Sequence, residues 1–477
     1  MSILLAILSG VLLSLAFPKF GLSFLAWVAL VPFFLTLDSK HKYWSALAFG
    51  ITFFGINLYW VNTLFRFGGW WIFLAWGLLA FYEAIFILLF VKVYSLFSYR
   101  PKNKQLATAE IHSILPGKVS HSKNNEGSLK VWLLPILWVL FEIVRSFGVF
   151  GFTAGTIGYS QARFTTLIQI SSFFTVYGVS FLVVLFNAGL AELIKTKKYT
   201  WLVIAGLLVI ISCVYGNSQL SGPKLETKSK IKFALIQPNL DQKDKMNNTL
   251  IENSFALYEK LSQQATFESP EVIVWPETAI FAYLAQDPRY SNRIKELAKS
   301  SKAWFVIGTA YSENSKIYNS IVTMSPQGNI MSRYDKQHLM PFGEFLPFRA
   351  LLFSVLKSVG SYDSQYSVNS VSSPLLIKHR SVVGSICFES TFPFLIKSMV
   401  KPQTSFILNL TNDAWFLDSA ALYQHLEQEI FRAVENRRYF IQASNNGISV
   451  LIDPYGRIVA QLPANQSGIL SFEVPLP

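Results

Sequence analysis

Cys387 is one of two cysteines in 477 residues and closes the small apolar run of SVVGSICFES, with Glu389 two positions on. A thiol is a useful nucleophile only as thiolate. It needs a base to take its proton, and a cation or N–H donors to hold the oxyanion formed on attack at a carbonyl. Two other segments offer such groups. VIVWPE ends on Glu277, which suits the base, and RYDKQHLMPFGEFLPF offers Lys336 for the electrophilic clamp, with His338 and Glu344 in the same loop. Glu277 and Cys387 each sit at the C-terminal lip of an apolar run, where ligand sites in open α/β sheets collect. The competing reading of Cys387 is a small buried core thiol. His338 and His425 have no metal-ligand spacing with a third donor, so neither a metal nor another cofactor is expected.

The elements that must position these groups begin at Lys224. IKFALIQPNL, EVIVWPETAI, AWFVIGTAYS, YNSIVTMSPQGNI, LLIKHRSVVGSICFES, SFILNLTNDAWF, YFIQASNNGISVLIDPYGRIV and ILSFEV read as strands, bounded by Gly, Asn or Pro. NTLIENSFALYEKLSQQ and ALYQHLEQEIFRAVENRRYF carry apolar residues at a spacing of three to four, as helices do. The alternation predicts a layered α/β domain with mixed sheets over 224–477. SPQGN and DPYGR read as hairpin turns.

The first 217 residues are of another kind. A hydrophobic fraction of 52% against 14% charged, with 41 phenylalanines, is too apolar for an ordinary soluble chain and predicts an integral membrane protein. A helix needs about 20 apolar residues to cross the bilayer core. Seven segments qualify, over about 2–17, 21–37, 45–65, 70–96, 131–150, 165–193 and 200–216, with an irregular stretch at 146–158. The first lacks a basic leader and a cleavage site and is expected to be retained. The net charge of +13 forms no patch interleaved with aromatics, so nucleic acid is not an expected partner. Lysines and arginines instead crowd alternate loops: Lys40 and Lys42, then Arg100 to Lys123, then Lys195 to Lys198, against Lys19, Arg66 and Arg163 on the other side. By the positive-inside rule the crowded loops are cytoplasmic and the α/β domain lies outside. There a disulfide for Cys387 is not expected, because Cys213 sits in the seventh apolar segment, and an unpaired exported thiol reads as reactive.

Within the fifth segment Glu142 and Arg145 lie three apart, on one helix face. They read as an internal ion pair or as a headgroup or helix-break site. The polar, basic 97–128 region reads as a flexible cytoplasmic loop. RFGGWW, 66–71, suits the headgroup zone, and FLPFRALLFSVLKSVG, 345–360, reads as a lid or a structural helix.

VWPET, DKQHLMPFGEFLP, ICFES, NLTNDAWF and SNNGISVLIDPYG, in that order behind a multi-span half, resemble the apolipoprotein N-acyltransferase family, bacterial inner-membrane members of the nitrilase superfamily. The resemblance covers nearly the whole chain. It implies an α-β-β-α sandwich seated on a multi-span α-helical membrane bundle, with the sandwich on the periplasmic side. Glu277, Lys336 and Cys387 match the family's Glu-Lys-Cys triad, as general base, oxyanion stabiliser and nucleophile. The implied reaction takes an acyl chain from a phospholipid, typically phosphatidylethanolamine, as a thioester on Cys387. The acyl group then passes to the α-amine of the diacylglyceryl-cysteine of an apolipoprotein. Glu344, Phe388 and Glu389 fall at supporting positions, Trp275 and Trp415 are expected to line the acyl or headgroup path, and a monomer is expected. Three features depart from the family: no eighth span follows EVPLP, the 97–128 loop is long, and Phe388 stands where relatives often have tyrosine. The alternatives are a membrane-tethered nitrilase-type amidase with water as acceptor, and a noncatalytic membrane scaffold, which the intact Glu277, Lys336 and Cys387 disfavour.

Overall fold

The computed structural model describes residues 1–98, 124–222, 229–349, 366–369 and 373–476. Beyond residue 229 the apolar runs become two six-stranded sheets. The first has the order β12-β1-β2-β3-β4-β5 and the second β11-β10-β9-β8-β7-β6. The strands are β1 Lys230–Gln237, β2 Val272–Trp275, β3 Trp304–Glu313, β4 Lys316–Met324, β5 Ile330–Asp335, β6 Leu375–Ile377, β7 Arg380–Ile386, β8 Thr404–Thr411, β9 Tyr439–Ser444, β10 Ser449–Ile452, β11 Ile458–Leu462 and β12 Gly468–Pro475. Each sheet has a parallel centre, β1-β2-β3 or β7-β8-β9, flanked by antiparallel strands. Parallel strands covered on both faces run continuously apolar, and all eight residues of β8 are buried.

The period of two along a strand divides the core. On β2, Val272 and Val274 join Val382, Ile386, Leu408 and Ile441 in the core between the sheets. Ile273 and Trp275 point the other way, onto the helices Ile251–Ala265 and Pro288–Ser301 with Phe255, Tyr258 and Ile294. On the far side, Ile407, Phe440 and Val450 pack with Leu422, Leu426 and Ile430 of the helix Ala420–Asn436. The result is the expected α-β-β-α sandwich. The turns 325–329 and 453–457 close hairpins, with Gly328 and Gly456 both at φ +83° as their left-handed geometry requires. LLIKHRSVVGSI is itself a hairpin of β6 and β7, turning through Lys378 and His379 at φ +50° and +64°.

The apolar segments of the first half are all helical, but unequally long. Among the described residues, Trp71–Phe97, Ser171–Thr196 and Thr200–Ser221 are long and apolar enough to cross a membrane. Lys42–Asn57 with Tyr59–Gly68 makes a fourth if its 52° bend is one span. Ser2–Leu15 and Ser23–Phe34 are shorter apolar helices. Length and composition therefore carry three or four of the seven expected spans. The fifth segment is the helix Asn124–Arg145, which starts inside the region read as a 97–128 loop; residues 99–123 lie outside the described ones. The sixth is broken: Thr165–Ile168 precedes Ser171–Thr196, and Thr175 departs from helical geometry at φ +54°.

Arg145 does not pair with Glu142. Its Nη1 donates to Glu83 Oε2 and to the Ala154 carbonyl, both at 2.8 Å, and its Nη2 donates to Thr156 Oγ1 at 3.1 Å. Glu142 accepts instead from Trp138 Nε1 at 3.0 Å and from the Ile157 N–H at 2.8 Å. Two buried side chains thereby satisfy the Ala154 carbonyl and the Ile157 N–H of the irregular 146–158 backbone.

The helix Ala420–Asn436 is the seat of the sandwich on the bundle. Its Arg432 bonds Tyr159 and Glu435, and Glu435 accepts the Val176 N–H just past the Thr175 break, at 2.8 Å. Gln424 reaches Trp60 and Asn57. Lys19 pairs with Asp418 at 2.9 Å and Arg66 with Asp241 at 2.9 Å. The loops poor in positive charge are thus the ones that meet the α/β domain.

Candidate active site

Glu277 follows β2 and Pro276, and is 8% exposed. The chain can turn there because β3 has Gly308 opposite: a Cβ on Gly308 would meet the Pro276 carbonyl, and Glu277 Cα at 2.6 Å. The carboxylate is held from two sides. Oε1 accepts from Asn319 Nδ2 at 2.8 Å and lies 3.5 Å from Lys336 Nζ; Oε2 accepts the Asn412 N–H at 2.9 Å. Asn319 is on β4 and Asn412 follows β8, so both sheets fix one side chain.

Lys336 is the residue after β5, where its N–H continues the ladder to the Asn319 carbonyl at 2.8 Å. Its Nζ pairs with Glu344 Oε2 at 2.9 Å. Glu344 also accepts from Asn319 Nδ2 at 2.7 Å and from the Met340 N–H at 2.8 Å, which folds the loop back on itself. Burial works to lower the Lys336 pKa, but Glu344 and Glu277, then Cys387 and Glu389, raise it above the ordinary lysine value. It is a fixed cation.

Cys387 follows β7 and opens the short 3-10 helix Cys387–Thr391. Its φ is +52°, a left-handed conformation that costs a non-glycine residue about 1–3 kcal/mol. Burial, and then Glu277, push the thiol well above its ordinary value, while Lys336 pulls the other way. Burial thus favours the neutral thiol, and attack calls for a base.

Glu389 secures the turn. Fully buried, it accepts from the Gln337 and His338 N–H groups at 2.6 and 3.0 Å, from the Ile386 N–H at 2.8 Å, and from the Tyr334 hydroxyl at 3.0 Å. One side chain thus ties the Lys336 loop to the Cys387 turn. Burial pushes its carboxyl up to about 7, against the pull of Lys336 and those N–H groups.

Trp275 lies elsewhere. Its ring is fully buried on the outer face of β2 among Phe255, Tyr258 and Phe305, with Nε1 donating to Ser262 Oγ at 2.9 Å. Alternation along β2 puts Trp275 with Ile273 on the helix-facing side, where it packs the core, whereas Glu277 lies past the end of the strand, after Pro276. Trp415 stands at the seam, its ring 4.9 Å from Phe67 of the membrane half. Phe388 contacts Phe152 of that half at 6.2 Å, and also His338 and Phe392. Of the 345–360 stretch, 350–360 lie outside the described residues.

Asn319 and Asn412 escaped the sequence reading, although NLTNDAWF contains the second; an amide carries no charge signature. His425 also belongs here. Its Nε2 lies 2.7 Å from Ser390 Oγ, which donates to the Cys387 carbonyl at 3.0 Å, and Asp413 and Glu429 flank the ring at 3.5 Å. Among the described residues no His, Cys, Asp or Glu group could hold a metal ion.

Residues 232–477 match the carbon-nitrogen hydrolase family model, which gives the class of the sandwich and its site. Residues 9–189 match the apolipoprotein N-acyltransferase N-terminal domain. An apolipoprotein N-acyltransferase of Geobacter metallireducens is 34% identical over 99% of this chain and 89% of its own length. One of Pasteurella multocida is 30% identical over 96% and 86%. Among solved structures, the C. elegans NitFhit protein is similar at 20% identity and a TM-score of 0.43, over 52% of this chain and 61% of its own. The chain belongs to the apolipoprotein N-acyltransferase family and is an acyltransferase.

Proposed function

We propose that the enzyme moves a fatty acyl chain from a phospholipid to the α-amine of the diacylglyceryl-cysteine at an apolipoprotein's N-terminus, through a thioester on Cys387. The supporting observation is that Glu277, Lys336 and Cys387 each follow a strand, with Lys336 3.5 Å from Glu277, and that Phe388, next to Cys387, holds its ring against Phe152 of the membrane half.

Glu277 takes the thiol proton as Cys387 Sγ attacks the ester carbonyl. Lys336 Nζ, with the Phe388 N–H, holds the oxyanion. Collapse breaks the ester C–O bond, and the leaving lysophospholipid oxygen takes the proton back from Glu277. In the second half the α-amine attacks the thioester, gives its proton to Glu277, and the departing sulfur recovers it. Two lipid-anchored substrates need a site open to the bilayer, and the aromatic contacts of Phe388 and Trp415 with the membrane half suit that. Phosphatidylethanolamine is the expected donor and no cofactor takes part. The enzyme sits in the bacterial inner membrane with the sandwich periplasmic, in keeping with Lys19 and Arg66, from the sparsely charged loops, being the ones that pair with it.

The test is intact mass after incubation with phospholipid. A hydroxylamine-labile acyl adduct is expected, absent in Cys387→Ala and discharged by a diacylated lipopeptide. No adduct would overturn the reading, and discharge to water alone would make the enzyme an amidase-like hydrolase.

A further inference from the structure

Arg66 belongs to the membrane half, in the turn Phe65–Gly68 that follows the 52° bend. Trp70 and Trp71 beside it are 79% and 58% exposed, as fits residues at a headgroup layer. Its Nη2 donates to both oxygens of Asp241, at 3.0 and 2.9 Å. Asp241 in turn caps the short helix Gln242–Lys245, accepting the Lys243 N–H at 2.8 Å.

That helix reaches Glu277 along two routes. Gln242 is fully buried, and its Oε1 accepts from Asn412 Nδ2 at 2.8 Å; the Asn412 N–H is the donor that fixes Glu277 Oε2 at 2.9 Å. Lys245, 2% exposed, donates from Nζ to the Glu277 carbonyl at 3.4 Å. Asn445 locks the same segment to the site, accepting the Leu240 N–H at 3.1 Å and donating to Asn412 Oδ1 at 3.0 Å. A chain of short polar contacts thus runs from a loop at the membrane surface to the carboxylate beside the nucleophile.

We propose that Arg66 is a positioning residue for the reaction: its pairing with Asp241 seats the Gln242–Lys245 helix and through it orients Glu277. The proposal rests on Glu277 being the base. The pair is 24% and 39% exposed, and ion pairs so open to solvent add little to stability. A reacting group misplaced by about 1 Å, in contrast, loses on the order of a hundredfold in rate. The pair therefore bears on rate far more than on folding, and the loop that bears it also carries the exposed tryptophans, so seating at the bilayer and alignment of the base are one arrangement.

The full-length enzyme in phospholipid-detergent micelles carries the test, with Cys387 acylation followed by intact mass at varied phospholipid. The variants are Arg66→Gln, Asp241→Asn, their combination and Arg66→Lys; asparagine is as good an N-cap as aspartate, so Asp241→Asn removes the charge without the cap. Each single loss is expected to lower kcat about tenfold with KM and melting temperature unchanged. The double variant is expected to be no slower than the worse single one, since both remove one interaction, and Arg66→Lys to recover most of the rate. Arg66→Gln acylating at the wild-type rate, losses that multiply in the double variant, or a loss that follows a lowered melting temperature would overturn this proposal alone. A wild-type enzyme that forms no adduct would overturn the reading beneath it as well.

Discussion

Replacing Glu389 by Gln separates a residue that holds the site from one that reacts in it. The carboxylate's Oε1 serves the part-buried Gln337 and His338 N–H groups and its Oε2 serves the buried Ile386 N–H. Glutamine has one acceptor oxygen. Whichever way it turns, its NH2 faces at least one of those N–H groups, while the Tyr334 hydroxyl can rotate to suit either end. The loss is at least one charge-assisted hydrogen bond plus the cost of a stranded buried donor, together about 3–5 kcal/mol. Glu389→Gln is therefore expected to melt several degrees lower in detergent. With the Lys336 loop and the Cys387 turn untied, acylation should also fall about a hundredfold. Both are read from one preparation, by a thermal melt and by intact mass. A variant that melts like wild type yet never acylates would show that Glu389 takes part in proton transfer. One normal in both would show that the hydrogen bonds do not carry the site.

Trp275→Phe is expected to destabilise by about 1–3 kcal/mol, from a lost hydrogen bond to Ser262 and a small cavity, and to leave KM for phospholipid unchanged; a raised KM would restore Trp275 to the substrate path. At His425, burial works to lower the pKa, but Glu429 and Asp413 raise it from 6.5 to about 9. A raised folded-state pKa contributes stability that is fully present below 6.5 and is lost as pH rises through about 9. The melting gap between wild type and His425→Gln should thus be widest below that window and close above it, and a gap that widens with pH would reverse the sign. Arg145→Met leaves Glu83 buried and unpaired and should cost about 3–5 kcal/mol in a detergent melt, most of it recovered by adding Glu83→Gln; an additive double variant would argue against the pair.

The strands, the two principal helices and the proposed trio of Glu277, Lys336 and Cys387 were legible because each leaves a local mark: an apolar run, a three-to-four spacing, a charged or sulfur side chain just past a strand. Glu389 was legible as a residue and not as a tie, because its partners are the backbone N–H groups of Gln337, His338 and Ile386, and a backbone donor looks alike at every position. Trp275 misled for a related reason. It adjoins Pro276 and Glu277 in sequence, yet it is the last residue of β2 and packs with Ile273 on the helix-facing side, while Glu277 lies beyond the strand's end. Glu142 and Arg145 share a helix face, but Arg145 found Glu83, 62 residues away, a pairing only helix packing could choose. The breaks at Leu58 and Thr175 were hidden because an apolar segment reads the same whether its helix is continuous or bent.

The two halves contribute unequally to the proposed chemistry, and their division bears on why an amidase-like fold would transfer instead of hydrolyse. On the sandwich side the charged groups of the site are each held by polar partners: Glu277 by Asn319 and Asn412, Lys336 by Glu344, Glu389 by three N–H groups. On the other side the walls are aromatic and come from the membrane half. Phe152 lies against Phe388, Phe150 against Phe342 and Phe348, and Phe67 against Trp415. A thioester survives only as long as water is kept from it, and rings at the seam exclude water while accepting acyl chains. The raised thiol pKa adds to this. In the proposed reaction, a thiol held neutral by burial is activated only as Glu277 takes its proton, which protects it from idle reaction between turnovers. In the proposed reaction the membrane half supplies the aromatic contacts at this seam, and the lipid-anchored acceptor is expected to reach Cys387 past them.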